Sequence, residues 1–261
     1  MDKFIIIGER IHCISPEIRN AIETRNPEAI FRRAKEQLAA GATYLDLNIG
    51  PASRKGEEIM TWAVQTLQNE FDNVPLALDT TNRKAMEAGL KVYNRSKGKP
   101  IVNSADAGER IELIDVAAAN DAYVIALCAK EGISKDNDER IAHCTEMLER
   151  GMNLGMEPTD LFFDPLFLVI KGMQEKQKDV LAAIRLITDM GLRTTCGLSN
   201  ISNSAPKEIR PIMDAVFAAM AIEEGLTSAI MNPCNLRLME TIKTCDVVNN
   251  AVLYADSYLN L

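Results

Sequence analysis

Eight short apolar runs, each followed by a longer amphipathic stretch, repeat along this chain and constrain its fold more than any other feature. The runs cover residues 4–8, 44–48, 75–79, 100–103, 123–128, 161–164, 194–198 and 228–231. Helices are expected over 27–40, 57–71, 83–93, 108–120, 137–154, 178–191, 209–224 and 237–251. Boundary residues support several of them: Asn26 and Pro27 open the first, Gly41 closes it, and Thr80-Thr81-Asn82 caps the third. A turn is expected around Pro16. Unbroken apolar strands flanked by helices imply a parallel sheet buried on both faces. Eight such units in 261 residues, with no linker or composition shift, fit a single α/β domain over 1–261 with a TIM (β/α)8 barrel architecture. A doubly wound sheet is the alternative, but its Gly-rich crevice motif and a phosphate loop are both missing.

A net charge of −8, with the acids spread along the chain, argues against nucleic acid or an anionic membrane as partner. Cys13, Cys128, Cys144, Cys196, Cys234 and Cys245 form no Cys-x-x-Cys pair, so buried free thiols in a reducing compartment are expected, and no zinc knuckle. The opening apolar run Phe4-Ile-Ile-Ile7 is too short for a signal peptide or a membrane span. A soluble, cytoplasmic protein is the expectation.

In such a barrel the chemistry gathers where strands end. Those positions hold Glu9 and His12 after the first strand, and Asp46 and Asn48 after the second. Asp79, Asn103, Asp164 and Asn200 follow the third, fourth, sixth and seventh. Any one of them taken alone could be a helix cap. As a set they are rich in Asp and Asn and poor in His, Lys and Cys, which suits neither a metal site nor a Ser–His–Asp triad. His143 lies inside a helical stretch and reads as structural. A carboxylate accepts two parallel hydrogen bonds from a ring N–H and its neighbouring amino group, while carboxamides serve adjacent ring atoms. A pterin has that edge, and purines and flavins offer similar ones.

The segments Ile7-Gly-Glu-Arg-Ile11, Leu45-Asp-Leu-Asn-Ile-Gly-Pro51, Leu78-Asp-Thr-Thr-Asn82, Ile101-Val-Asn-Ser104, Phe163-Asp-Pro-Leu166 and Gly197-Leu-Ser-Asn-Ile-Ser202 span nearly the whole chain. In that order they resemble the methyltetrahydrofolate:corrinoid protein methyltransferases, which are similar in fold to dihydropteroate synthase. The resemblance implies that Asp79, Asn103 and Asp164 hold a pterin ring and that Asn200 hydrogen-bonds near N5. It also implies that Asn203 and Arg210 adjoin the folate. Asn203 stands where the family has Gln, and His12 where it has Asn. Asp46, Asn48 and Glu9 complete the expected substrate-binding set. No metal of the chain's own is implied. Methyltetrahydrofolate or tetrahydrofolate is the implied substrate, and the corrinoid (cobalamin) is carried by a partner protein. The length and the lack of an attached corrinoid domain resemble the stand-alone members, which are commonly homodimers.

Methyl transfer from a tertiary amine is slow because the unprotonated amine leaves as an unstable anion. With no His, Lys or Cys evident as general acid, Asn200 is expected to donate a hydrogen bond that strengthens as N5 takes up its proton. Asp164 is expected to orient that network. Two other readings share the fold: a dihydropteroate synthase, and a pterin-binding subunit that only docks a corrinoid protein. The stretch Ile212-Met-Asp-Ala-Val-Phe-Ala-Ala-Met-Ala221 reads as a core or dimer-facing helix, and residues 171–179 as a solvated loop.

Overall fold

The apolar runs become eight parallel strands: β1 (Ile5–His12), β2 (Tyr44–Asn48), β3 (Leu76–Asp79), β4 (Ile101–Asp106), β5 (Tyr123–Leu127), β6 (Leu161–Asp164), β7 (Arg193–Thr194) and β8 (Ser228–Met231). The structure, a computed structural model, describes residues 3–52 and 54–260; residues 1, 2, 53 and 261 of the expected domain span lie outside the described residues. The strands pair in the order β7-β6-β5-β4-β3-β2-β1-β8. Gly197, just beyond β7, bridges Ile230 in parallel, and the Ile230 N–H donates to the Cys196 carbonyl at 2.8 Å. That contact joins the two edges into a TIM barrel.

Nine α-helices among the described residues wrap the sheet: α1 (Pro16–Thr24), α2 (Glu28–Ala39), α3 (Gly56–Glu70), α4 (Arg83–Val92), α5 (Leu113–Ala119), α6 (Asn137–Asn153), α7 (Gln177–Asp189), α8 (Arg210–Glu223) and α9 (Leu236–Val248). Asn82 caps α4 as its sequence implies, its side chain accepting from the Ala85 N–H at 3.2 Å.

Four local expectations are corrected. Pro16 does not mark a simple turn: it opens α1, because proline at the first helical position lacks only an N–H that has no helical acceptor. β1 runs on to His12, so Glu9 and His12 lie within the strand; a register shift between Gly8 and Ile11 absorbs the polar residues. The regular part of α5 begins only at Leu113, after a turn held by the Asp106 carboxylate, which accepts from the Gly108 and Arg110 N–H groups. Residues 171–179 are a short 3₁₀ turn, Gln174–Lys176, running into the start of α7.

Candidate functional site

Strand alternation sets the floor of the site. Ile7, Ala77, Ile101, Ile125 and Phe162 are buried together inside the barrel as an apolar plug. Two residues further along the same strand faces come Glu9 from Ile7, Asp79 from Ala77, Asn103 from Ile101 and Asp164 from Phe162. Asp46 is in register with Ala77 and shares its inward side. Each polar group therefore sits on the mouth side of the plug. His12, Asn48, Asp79 and Asn103 lie abreast on neighbouring strands.

These groups bond to one another. Asn103 Nδ2 donates to Asp46 Oδ1 at 2.9 Å, reaching across β3 inside the barrel. Asn48 Nδ2 donates to Asp79 Oδ2, while Asn48 Oδ1 accepts from the Gly50 N–H at 2.9 Å. Asp164 Oδ1 accepts from the Leu166 N–H at 2.8 Å. Ser199 Oγ donates to Glu9 Oε1 at 2.6 Å.

Crowding carboxyl groups away from water raises their affinity for protons. Burial pushes Glu9 up to about 7, against the Ser199 hydrogen bond and with help from the charge of Asp214. Burial likewise lifts Asp164 to about 7, opposed by the Leu166 and Gly197 N–H groups. Asp79 rises to about 6 by burial, held back by the Asn48 amide and then by Arg110. Asp46 is pushed well above the usual carboxylate range, first by burial and then by Asp79. His12 is half-buried with its Nδ1 unpartnered, and burial lowers its proton affinity, which favours the neutral imidazole.

Asn200 ends a 3₁₀ turn, Leu198–Asn200, immediately past the bridge that closes the barrel. Asn203 Nδ2 donates to Asn200 Oδ1 at 3.5 Å, which leaves Asn200 Nδ2 as a donor. The turn is close-packed: a Cβ on Gly197 would lie 3.0 Å from Asn200 Nδ2. Asn203 is exposed at the rim. Arg210 opens α8, its Nε donating to the Ala205 carbonyl at 2.8 Å.

The expected residues thus fall into two groups at one mouth. Asp46, Asn48, Asp79, Asn103, Asp164 and Glu9 line the inward faces, and Asn200, Asn203 and Arg210 follow β7. Ser199, Asp214 and Arg110 were not singled out from the sequence. Ser199 lies inside a motif read for its asparagine, and Arg110 lies in a stretch read as helix. Asp214 carried one available signal, a single acid within an otherwise apolar helical stretch. His143 is structural as expected: it is buried in α6 with Nδ1 3.2 Å from Ser134 Oγ, and that hydroxyl donates to the Cys128 carbonyl. Among the described residues no group of three or more His, Cys, Asp or Glu is placed to hold a metal ion.

Residues 15–232 match the pterin binding enzyme family. The chain belongs to the pterin-binding enzymes. Among its relatives is the methylcorrinoid:tetrahydrofolate methyltransferase of Eubacterium limosum, 27% identical over 94% of this chain and 90% of that one. The methionine synthase of Mycobacterium leprae is 28% identical over 87% of this chain, which spans only 20% of that larger enzyme. Among solved structures, 7,8-dihydropteroate synthase from Vibrio fischeri ES114 superposes with a TM-score of 0.72 at 16% identity. That match covers 96% of this pterin-binding chain and 95% of the other, and it establishes the shared barrel.

Proposed function

We propose that this pterin-binding enzyme moves a methyl group between N5 of tetrahydrofolate and the cobalt of a corrinoid carried by a separate protein, acting as a single domain. The observation that carries the reading is the paired arrangement of Asp46–Asn103 and Asn48–Asp79 above an apolar floor, with Asp164 and Asn200 at the same mouth. Carboxylates and carboxamides in that geometry match the donor and acceptor edge of a pterin. The similarity to the Eubacterium limosum methyltransferase supports the choice of reaction.

In this reading Asp79, Asn103 and Asp164 hold the pterin ring, with Asp46 and Asn48 bracing them. Asn203 and Arg210 adjoin the rest of the folate, and Glu9 belongs to the same substrate-binding set. Asn200 Nδ2 donates to N5. When methyltetrahydrofolate is the donor, the N5–methyl bond breaks and a cobalt–carbon bond forms from the Co(I) electron pair. N5 keeps the bonding pair and takes up a proton. Asn200 stabilises that change without carrying charge, and Asp164 orients the network. The opposite direction, from methylcorrinoid to tetrahydrofolate, passes through the same transition state.

Dihydropteroate synthase chemistry is the second reading, favoured by the fold. It must also receive a pyrophosphate, and the mouth ends of β7 and β8, Thr194-Thr-Cys196 and Met231-Asn232-Pro233, supply no basic side chain for one. Among the described residues no helix is long and apolar enough to cross a membrane, and the free cysteines fit a reducing cytoplasm. The test is direct: methyltetrahydrofolate is added to reduced corrinoid proteins and the cobalt absorption followed. Conversion of the Co(I) spectrum to that of methyl-cobalt supports the reading. Folate binding with no spectral change across the panel favours a docking subunit, and dihydropteroate formation favours the synthase.

A further inference from the structure

His12 has no task in the reaction proposed above. Its orientation follows from the register shift in β1. Arg10 faces α2, its N–H donating to Gln37 Oε1 at 2.8 Å and its Nη1 to Glu36 Oε2 at 2.7 Å. Ile11 is fully buried with Ile18 and Ile22 of α1 and Ile30 of α2. His12, next along the strand, therefore turns to the inward side, abreast of Asn48, Asp79 and Asn103. The other strand-end side chains, from Glu9 on β1 to Asp164 on β6, each hold a hydrogen bond within the protein. Among the described residues the His12 ring makes none, and its Nδ1 is buried. With Nδ1 buried, the open edge of this half-buried ring is the Nε2 side. A buried N–H without an acceptor is rarer than a buried lone pair without a donor. The single proton of a neutral imidazole therefore belongs on Nε2.

The order of the strands decides which part of a folate His12 meets. In the methyl-transfer reading the ring is gripped from β3, β4 and β6, and N5 faces the turn after β7. On a tetrahydropterin ring the atom beyond N5, away from the gripped edge, is C6, which carries the p-aminobenzoylglutamate arm. In the closed barrel β8 and then β1 come after β7, so the edge with C6 faces them. His12 lies at the level of the side chains that grip the ring, and so at the root of the arm. We propose that His12 contacts the arm where it leaves C6, with its Nε2–H turned to the bridging N10, and so selects folates over pterins that lack the arm. This deepens the methyl-transfer reading and rests on it for the orientation of the ring. Asn203 and Arg210, after β7, flank the arm from the other side. The contact carries no charge, because burial lowers the proton affinity of His12 and keeps the imidazole neutral. Imidazole also offers a flat face to the aminobenzoyl ring, which a carboxamide in its place would not.

The test compares tetrahydrofolate with tetrahydropterin, the same ring without the arm, by calorimetry on the whole protein. The wild type should bind tetrahydrofolate more tightly. His12→Ala should lose tetrahydrofolate affinity on the order of 3–10-fold, the worth of one hydrogen bond, with tetrahydropterin affinity unchanged. His12→Phe, which keeps a ring and removes the N–H, should lose the same preference. An equal loss for both ligands, or a loss for neither, overturns the arm contact. Spectra of the wild type decide the point without any substitution. The chain has only two histidines, so nitrogen NMR of the histidine rings resolves His12 from His143. His12 should show a protonated Nε2 and a bare Nδ1. Its resonances should move when tetrahydrofolate binds and far less with tetrahydropterin, while those of His143 stay in place. A proton on Nδ1 in the complex, or tetrahydrofolate bound with His12 unmoved, overturns the proposal. If tetrahydrofolate binds but no corrinoid protein is methylated, the methyl-transfer reading fails, and the affinity ratio and the His12 spectra still decide the contact.

Discussion

At the scale of single residues the site is built from atoms whose partners are already assigned. Asn200 has its carbonyl oxygen occupied by Asn203 and its Nδ2 free to donate. Replacing Asn200 with Ala should lower single-turnover methyl transfer on the order of 10²-fold, the size of effect seen when one preorganised donor is deleted, while the folate dissociation constant moves little. Stopped-flow cobalt spectroscopy alongside equilibrium binding checks the split; collapsed binding with normal transfer would contradict the assigned role. Gly197→Ala should mimic part of that loss, because its new Cβ crowds Nδ2 at 3.0 Å. Asp79→Ala is expected to act in the opposite sense, weakening folate binding more than it slows bound-state transfer, since on the proposed reading Asp79, braced by Asn48, presents its second oxygen to the ring. An unchanged affinity in calorimetry would remove Asp79 from the ring.

At the scale of elements, α8 carries two faces. Asp214, Ala215, Phe217, Ala218, Ala221 and Ile222 are buried, yet Ile212, Val216 and Met220 are exposed at four-residue spacing, with Ile209 beside them. A large apolar stripe left in water marks a contact surface, and the homodimer expected from the sequence is assigned to it as a proposal. Val216→Asp should shift a dimer to monomer in sedimentation velocity without changing the melting profile of the protomer. The elements themselves were largely legible, because buried parallel strands are written as unbroken apolar runs and Asn82 announces α4. The failures have physical causes. Glu9, Arg10 and His12 disguised the second half of β1, because the register shift breaks the period that sequence patterning relies on. Asp214 was absorbed into an apolar helix, because the sequence does not show which acid of a helix turns inward. The candidate site was legible as a list of strand-end Asp and Asn residues. The bonds that pair Asp46 with Asn103, and Glu9 with Ser199, depend on which strands lie opposite and were not.

At the scale of the whole molecule, the barrel concentrates acids that prefer to be neutral. Glu9, Asp79 and Asp164 bind protons more tightly folded, at about 7, about 6 and about 7, than at their ordinary values of 4.5, 3.8 and 3.8. The folded chain therefore holds more protons than the unfolded one across this interval, and stability falls as pH rises from about 4 through about 7. The ligand-free protein should be more stable at pH 5.5 than at pH 8, by an amount on the order of a few kcal/mol shared among the three acids, and should therefore melt at a higher temperature at pH 5.5. Asp164→Asn should flatten the dependence; a melting temperature that rises toward pH 8 would contradict it. A pterin that donates hydrogen bonds to these carboxylates should offset the loss, so its stabilising effect should grow with pH.

The barrel's closure has a further consequence. β7 contributes only two regular residues, and the joint to β8 is made by the Gly197–Ile230 bridge, the Ile230 N–H on Cys196 and, at the other end, hydrogen bonds from Thr227 and Ser228 to the Thr194 carbonyl. This seam has the least regular strand pairing in the wall, and the turn carrying Asn200 is mounted on it. On the proposed reading, opening of that seam accompanies departure of product: hydrogen–deuterium exchange at the Ile230 amide should outpace that at Val102 or Ile125, and slow sharply once folate is seated.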